Sequence, residues 1–443
     1  MAAPRALPPG PPGQPLLGNL RAFAADTLGF ATRLAREYGD VARFRLVNRE
    51  AWLLSSPDAV DRVLVSNQRN YVKHTFFWRK VDAIFGRGLL TNEGEGWRRQ
   101  RRLVQPAFHH DRVAEYARVM VDYAVDRIDG WEDGEERDVR HEMTSITFKV
   151  VAKTLFDSEV AGDVAEIGAA FDTGIEEIAR RIRRPVLLPD WLPTKGNRRY
   201  RRAVDRMNRL VYRIIAEHQG GQDRGDLLSA LIRARDEEGR PMSEEQLRDE
   251  TITMLLAGHE TTALALTWTW YLVSQHPDVA ERLESEADAL GRAPGVEDLP
   301  RLPFTERVVK EAMRLYPPAY SFGREALADD EILGWPVAAG TTLFVFPWVL
   351  HRDARFFPEP LAFNPDRWTA DFERGLPRLA YLPFGAGPRM CVGREFARME
   401  LALIVAAIAQ RFRIEWRAEH PVPMASITLR PTGGLRAVVR RRR

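Results

Sequence analysis

Residues 251–272 read TITMLLAGHETTALALTWTWYL. A stretch this long and this apolar has two homes: a bilayer, or the middle of a large helical core. Its centre decides between them. Gly258, His259, Glu260, Thr261 and Thr262 stand there, and an acid beside hydroxyls is costly at mid-membrane depth. We therefore expect a helix through a core rather than a membrane span. Ser243 and Gln246 fit a capping box at its start. Pro277 stops it after His276. Within it, Gly258 costs about 1 kcal/mol relative to Ala, and a Thr hydroxyl can bond back one turn and bend the helix. A local bulge beside a bound ligand accounts for AGHETT. So does a close helix–helix crossing at Gly258 with a satisfied Thr.

A helix of that kind needs a large core around it. The chain has 443 residues, 45% hydrophobic and 29% charged, the balance of a globular protein. Length alone suggests two or three domains. The loop-like breaks at 131–138, 185–193 and 220–226 do not resemble interdomain linkers, and no internal repeat appears. VARFRLV and AWLL (41–54) read as a small hairpin, and SSPDAV as a helix start. Short strands and turns follow residue 330, then a Pro- and Phe-rich stretch, then a last helix over about 393–412.

A formal charge of +3 gives little support to nucleic-acid binding, since the basic runs are short and no reading motif accompanies them. The single cysteine excludes an intrachain disulfide and any multi-cysteine metal site, and fits a reducing, cytoplasmic setting. The lead MAAPRALPPGPPGQPLLGNL (1–20) has no signal pattern and favours extended, polyproline-like backbone.

Two further stretches combine charge with helix. In FTERVVKEAMRLYPP (304–318), Glu311 and Arg314 share a helix face. In FNPDRW (363–368), Arg367 sits on a Pro-bounded loop. A buried Glu311 held by both Arg residues would pin the loop to the helix and stay ionised, a scaffold rather than a base.

The lone thiol lies in FGAGPRMCVG (384–393), directly before an apolar helical pattern. It reads as a small buried hydrophobe, a nucleophile, or a metal ligand. No His lies in the loop to activate a nucleophile. A helix N-terminus and Arg389 both favour a thiolate, so its pKa is expected to be lowered. Gly385 and Gly387 let the backbone turn, and Gly393 leaves room for something flat. One thiolate holds a bare ion poorly, but it can hold an iron that already carries four nitrogens.

Phe384, Gly387, Arg389, Cys391 and Gly393 match F-x-x-G-x-R-x-C-x-G, which resembles the haem-binding loop of the cytochrome P-450 haem-thiolate monooxygenases. Other motifs stand in that family's order: Trp97 and Arg101, Ala257 to Thr261, Glu311 and Arg314, then Pro365 and Arg367. Asp366 and Trp368 replace the commoner Glu and Phe. The resemblance implies a mainly α fold with a small β region, one triangular catalytic domain over 21–443 behind the lead at 1–20. It implies haem b, with Cys391 as metal ligand and Phe384 packed beside it. Trp97, Arg101, Arg324 and Arg389 would serve the haem propionates, with Gly387 and Gly393 shaping the loop. Thr261 would hold the bound oxygen and order water, and Glu260 would relay protons. His259 receives no role.

The reaction so implied inserts one oxygen atom of O₂ into a large hydrophobic substrate by hydroxylation or epoxidation. Electrons would come from a separate ferredoxin or flavodoxin with its NAD(P)H reductase, docking on the basic residues of WRRQRR (97–102), Arg394 and Arg398. A monomer is expected. Phe76, Phe77, Phe85, Met254, Ala257, Tyr320, Phe322 and Ile427 are the expected pocket residues. The style is closest to bacterial fatty-acid and carotenoid hydroxylases, with terpenoids and steroids open. A peroxygenase, or an isomerase or lyase on the same fold, is the alternative; the Glu260–Thr261 pair weighs against both.

Overall fold

The computed structural model describes residues 6–73, 85–157, 194–219, 224–235, 239–417 and 419–442, with Thr75, Trp78, Thr173, Gly174, Glu177, Arg180 and Leu192 as single positions between them. Helices α1 (Leu20–Ala25) and α2 (Thr27–Tyr38) precede the expected hairpin of β1 (Val41–Leu46) and β2 (Arg49–Leu54). Helix α3 (Pro57–Asp61) starts at Ser56, whose hydroxyl accepts the Ala59 N–H. Then come β3 (Tyr71–Val72), α4 (Gly94–Val104), α5 (His110–Asp129), β4 (Glu136–Asp138) and α6 (Val139–Phe156). Helices α7 (Lys195–Gln219) and α8 (Leu227–Arg233) lead to α9 (Glu244–Ser274), α10 (Pro277–Asp288) and α11 (Pro303–Leu315).

Strands β5 (Phe322–Ala326), β6 (Asp330–Ile332), β7 (Trp335–Val337) and β8 (Thr342–Val345) lie beyond, followed by α12 (Pro347–Leu350) and α13 (Ala370–Gly375). The chain closes with α14 (Arg394–Ala409), β9 (Phe412–Trp416), β10 (Pro423–Ala425), β11 (Leu429–Pro431) and β12 (Arg436–Arg441). The main sheet runs β1-β2-β8-β5-β3, with β2 and β8 parallel and Trp52 beside Leu343. A smaller sheet places β12 between β4 and β9. Helix dominates and strands cluster at the edges, as expected.

Helix α9 is the axis. It spans 31 residues and is buried around its whole circumference, packed by α6, α7, α11 and α14. A helix buried on all sides is the mark of a core position, although Arg248, Asp249, Glu250 and Glu260 are buried in it too. Ser243 supplies its half of the capping box, accepting the Gln246 N–H at 3.1 Å. Pro277 opens α10 instead of continuing α9. Trp268 is fully buried, stacks on Tyr316 at 4.1 Å and donates its indole N–H to the Leu429 carbonyl. No described helix is long and apolar enough to cross a membrane.

Candidate active site

The buried run of α9 is interrupted at one place. Ala257 is exposed and Gly258 and Thr261 are half-buried, while the residues on either side are buried. The spacing i, i+1, i+4 makes this one face of the helix. An exposed face in the middle of a core helix borders an internal space. The helix does not break there. Gly258 marks a close crossing: a Cβ on it would meet Val151 Cγ2 of α6 at 2.8 Å. Three consecutive carbonyls each accept a hydroxyl: Thr261 Oγ1 to Ala257 O at 2.8 Å, Thr262 Oγ1 to Gly258 O at 3.0 Å, and Thr147 Oγ1 to His259 O at 3.0 Å. The close crossing is thus seen, whereas the expected bulge is not: the helix runs unbroken through AGHETT, with its accessible face beside the crossing. His259 points into the protein. It is buried, donates Nδ1–H to the Leu255 carbonyl at 2.6 Å and meets Phe148 edge-on.

The thiol is accessible as well. Protein nonetheless surrounds Cys391 closely enough that burial pushes its thiol up. Next to it, Val392 packs on the apolar cluster that holds Met254 and Leu256 of α9. The loop is shaped by Gly385 and Gly387, both in left-handed backbone; at Gly387 a Cβ would run into the Leu64 carbonyl. Cys391 N–H donates to the Phe384 carbonyl at 2.9 Å, and the Gly393 N–H faces the sulfur. Two expectations are corrected here. The thiol pKa is raised rather than lowered: α14 begins only at Arg394, and burial outweighs Gly393, Arg101, Arg394 and Lys73. The side-chain side of Gly393 is closed by Phe108 at 3.3 Å rather than left open for a flat group.

Positive charge gathers around this interior. Arg324 is buried, and burial together with Arg389 pushes it down to about 10, against the pull of Glu93. Lys73 is driven well below its ordinary value by burial, then by Arg324 and Arg389, with Glu93 and Cys391 opposing. Arg389 lies over the Trp97 ring at 4.1 Å and bonds the Asn92 carbonyl and Glu93. Arg101 donates to the Met390 carbonyl at 2.9 Å. Among these groups Glu93 is the one carboxylate facing Lys73, Arg324 and Arg389. Cations this deep in low dielectric call for more anionic charge than one carboxylate provides.

The cytochrome P450 family model matches residues 8–435. The chain belongs to the cytochrome P450 family. This P450 is 40% identical to a cyclooctatin synthase of Streptomyces melanosporofaciens, over 96% of this chain and 93% of that one. It is 38% identical to cyclooctat-9-en-7-ol 5-monooxygenase of the same organism, over 93% and 89%. A pentalenene oxygenase of Streptomyces avermitilis is 33% identical, over 94% of each. The P450 is thus a haem-binding monooxygenase. Its residues fit haem b on three counts: an accessible sulfur, an open face on α9, and buried cations suited to two propionates.

Other expected residues fall into place around this frame. Phe85 and Met254 are buried in the apolar cluster beneath α6 to α9, bordered by Ile427. Tyr320 lies in a different, sheet-side cluster and donates to the Ser426 carbonyl at 2.6 Å. The Phe322 ring packs against Gly385. Phe76 and Phe77 lie outside the described residues. Glu311 accepts Arg314 at 2.8 and 2.9 Å, Arg367 at 2.9 Å and the Asn364 N–H at 3.0 Å. The indole of Trp368 also donates to it, at 2.9 Å, which is what a Trp supplies there and a Phe cannot.

Glu260 does not share the open face. It is buried, and its Oε1 accepts Thr428 Oγ1 at 2.7 Å and Arg430 Nε at 2.7 Å. Sequence reading missed Arg430, although Thr428 and Arg430, two apart before and within a strand, share one face. It also missed Lys73 and Glu93, which no local pattern marks. The basic docking face is less positive than the sequence suggests, because Arg98 pairs with Glu95, Arg394 with Glu395, and Arg398 with Glu306 and Glu395.

Proposed function

We propose that this P450 hydroxylates a polycyclic terpenoid, with Cys391 as the residue whose thiolate would hold haem b. The observation that carries the chemistry is an accessible thiol together with accessible positions at Ala257, Gly258 and Thr261 in the otherwise buried middle of α9. Haem, once bound, supplies activation of O₂. The chain's residues do the rest. Arg324, Arg389, Arg101 and Lys73 bind the propionates, while Trp97 braces Arg389 from below. Gly393 N–H and the Phe384 loop shield the sulfur and temper its donor strength.

Thr261 Oγ1 stands on the open face and orders water there, so that protons arrive at the oxygen-binding side. Glu260 is the neighbouring proton store. Its Oε1 is engaged by Thr428 and Arg430, which fixes the carboxylate beside the open face. The acid–Thr pair favours a monooxygenase over an isomerase or peroxygenase.

The substrate class rests on two supports. Phe85 and Met254 belong to one apolar cluster, with Ile427 packed against it. The relatives' names denote an alkene and an unsaturated alcohol, and this turns the choice from fatty acids and carotenoids toward terpenoids. Electrons come from a separate ferredoxin or flavodoxin with its NAD(P)H reductase, and the single cysteine suits a reducing, cytoplasmic setting.

The test is optical. The reduced carbon monoxide complex should show the red-shifted thiolate Soret band, and Cys391→Ser should lose it while keeping the fold. Cyclic terpene alkenes and alcohols should displace the water on iron and give a type I shift, where fatty acids do not. A type I shift with fatty acids alone would overturn the substrate reading. A missing thiolate band would overturn the ligand assignment.

A further inference from the structure

Residues 86–93 form turns rather than a helix or a strand. Backbone in that state needs hydrogen-bond partners from elsewhere. Two adjacent acids of α9 supply them. Asp249 Oδ2 accepts the Arg87 N–H at 2.7 Å, and Glu250 Oε2 accepts the Leu89 N–H at 3.0 Å. Both acids are buried, Glu250 completely. From the other side, Gln100 of α4 donates to the Arg87 carbonyl at 2.8 Å. Thr91 Oγ1 donates to the Gly86 carbonyl at 2.7 Å.

Two glycines let the segment come this close. A Cβ on Gly86, whose backbone is left-handed, would run into the Asp249 carboxyl. A Cβ on Gly88 would run into Thr253 Oγ1 and meet the Asp249 carbonyl at 2.6 Å. The acids are themselves held in place. Arg248 donates to Asp249 Oδ1 at 2.7 Å and to Asn208 of α7 at 2.9 and 2.8 Å. Burial pushes Glu250 up to about 8, with the Leu89 N–H opposing and Asp249 adding to it. Near neutral pH Glu250 is thus a carboxylic acid, whose carbonyl oxygen still accepts an N–H.

What the segment connects gives this latch its use. Phe85 directly precedes it and is buried with Met254 in the apolar cluster that Ile427 borders. Asn92 and Glu93 end it and hold Arg389. The segment therefore runs from the apolar wall to the buried cations. We propose that Asp249 and Glu250 are positioning residues that latch residues 86–89 onto α9 and thereby fix the Phe85 wall against which substrate rests. The fit of the substrate is then set by the first half of α9, some three turns before Thr261.

This inference rests on the reading of Phe85 as a pocket wall, so the test has one arm that needs that reading and one that does not. In the ferric holoenzyme, hydrogen exchange over the peptide 86–92, read by mass spectrometry, should speed up about tenfold in Glu250→Ala, the scale of one lost hydrogen bond. Peptides around Glu311 should exchange as in the native protein. Unchanged exchange over 86–92 overturns the latch whatever the substrate is. In the second arm the probe is the cyclic terpene alkene or fatty acid that gives the stronger native type I shift. Its dissociation constant and KM should rise about tenfold in Glu250→Ala, with kcat within about twofold of native. Glu250→Gln, which keeps an acceptor oxygen, should restore both constants to within about twofold. Each variant should keep the native carbon monoxide spectrum. Gly88→Ala leaves both acids intact but drives a methyl group into Thr253 and the Asp249 carbonyl. It should reproduce Glu250→Ala in both arms, and it decides should Glu250→Ala fail to fold. Faster exchange with native probe affinity overturns the link to Phe85. Probe binding as weak in Glu250→Gln as in Glu250→Ala overturns the hydrogen bond as its cause.

Discussion

Thr261 and Glu260 are neighbours in sequence that face different surroundings. The Thr hydroxyl bonds its own helix at Ala257 and stands on the open face. The Glu carboxylate turns aside to Arg430, which is itself buried. Their variants should therefore fail differently. Thr261→Ala removes an i−4 bond that contributes little to a helix, so thermal stability should hold while NADPH use is diverted from product to hydrogen peroxide. Product and peroxide measured per NADPH check this. Glu260→Gln removes the carboxylate charge from a buried ion pair with Arg430, a loss of about 3–5 kcal/mol, visible in denaturant titration before any assay. The Glu–Thr pair was legible as a motif. Its divergence was not, because Arg430 lies 170 residues away and reaches Glu260 only through β11.

At the scale of elements, the cradle around Glu311 shows what a motif can and cannot tell. Helix α11 and its Glu311–Arg314 spacing were readable, and the Arg367 loop could be matched to them. The remainder of the cradle needed the fold. Arg314 also donates to the carbonyls of His351, Pro360 and Ala362. Arg367 reaches the Pro358 carbonyl at 2.7 Å. Asp366 stays outside and pairs with Arg282 at 2.7 Å. One arginine thus satisfies a loop that has no regular structure of its own, which is the general demand on buried backbone. Arg314→Leu should cost about 3–5 kcal/mol and release haem during heating, since it strips a buried carboxylate of its closest cation. Loss of the Soret band alongside the circular dichroism melt would report it. His351, beside this loop, is buried, and burial with Arg314 and Arg352 holds it down to about 3. It is neutral, so its Nε2 accepts the Leu382 N–H at 3.0 Å.

Over the whole molecule, stability should depend on pH through a pair far from the site. His218 of α7 and Asp226, the N-cap of α8, meet at 2.8 Å. Burial opposes charge on both, but each supports the other: the imidazole is raised and the carboxylate lowered. The histidine's contribution is complete below its unfolded value near 6.5 and is lost as pH rises through the raised value. The aspartate's contribution is present above its unfolded value and is lost as pH falls through the lowered one. The melting temperature should therefore fall as pH climbs above about 6.5, and His218→Gln should flatten that slope. The sequence by itself determined that α9 runs through a core, that the one thiol lies on a glycine loop before a helix, and which motifs accompany it, because these depend on local pattern: period, caps and fixed spacing. The tertiary structure alone decided which way each polar group on α9 turns and which cations gather around Glu93. Those depend on distant segments brought together, where the scarcity of water makes each unpaired charge or hydroxyl choose a partner.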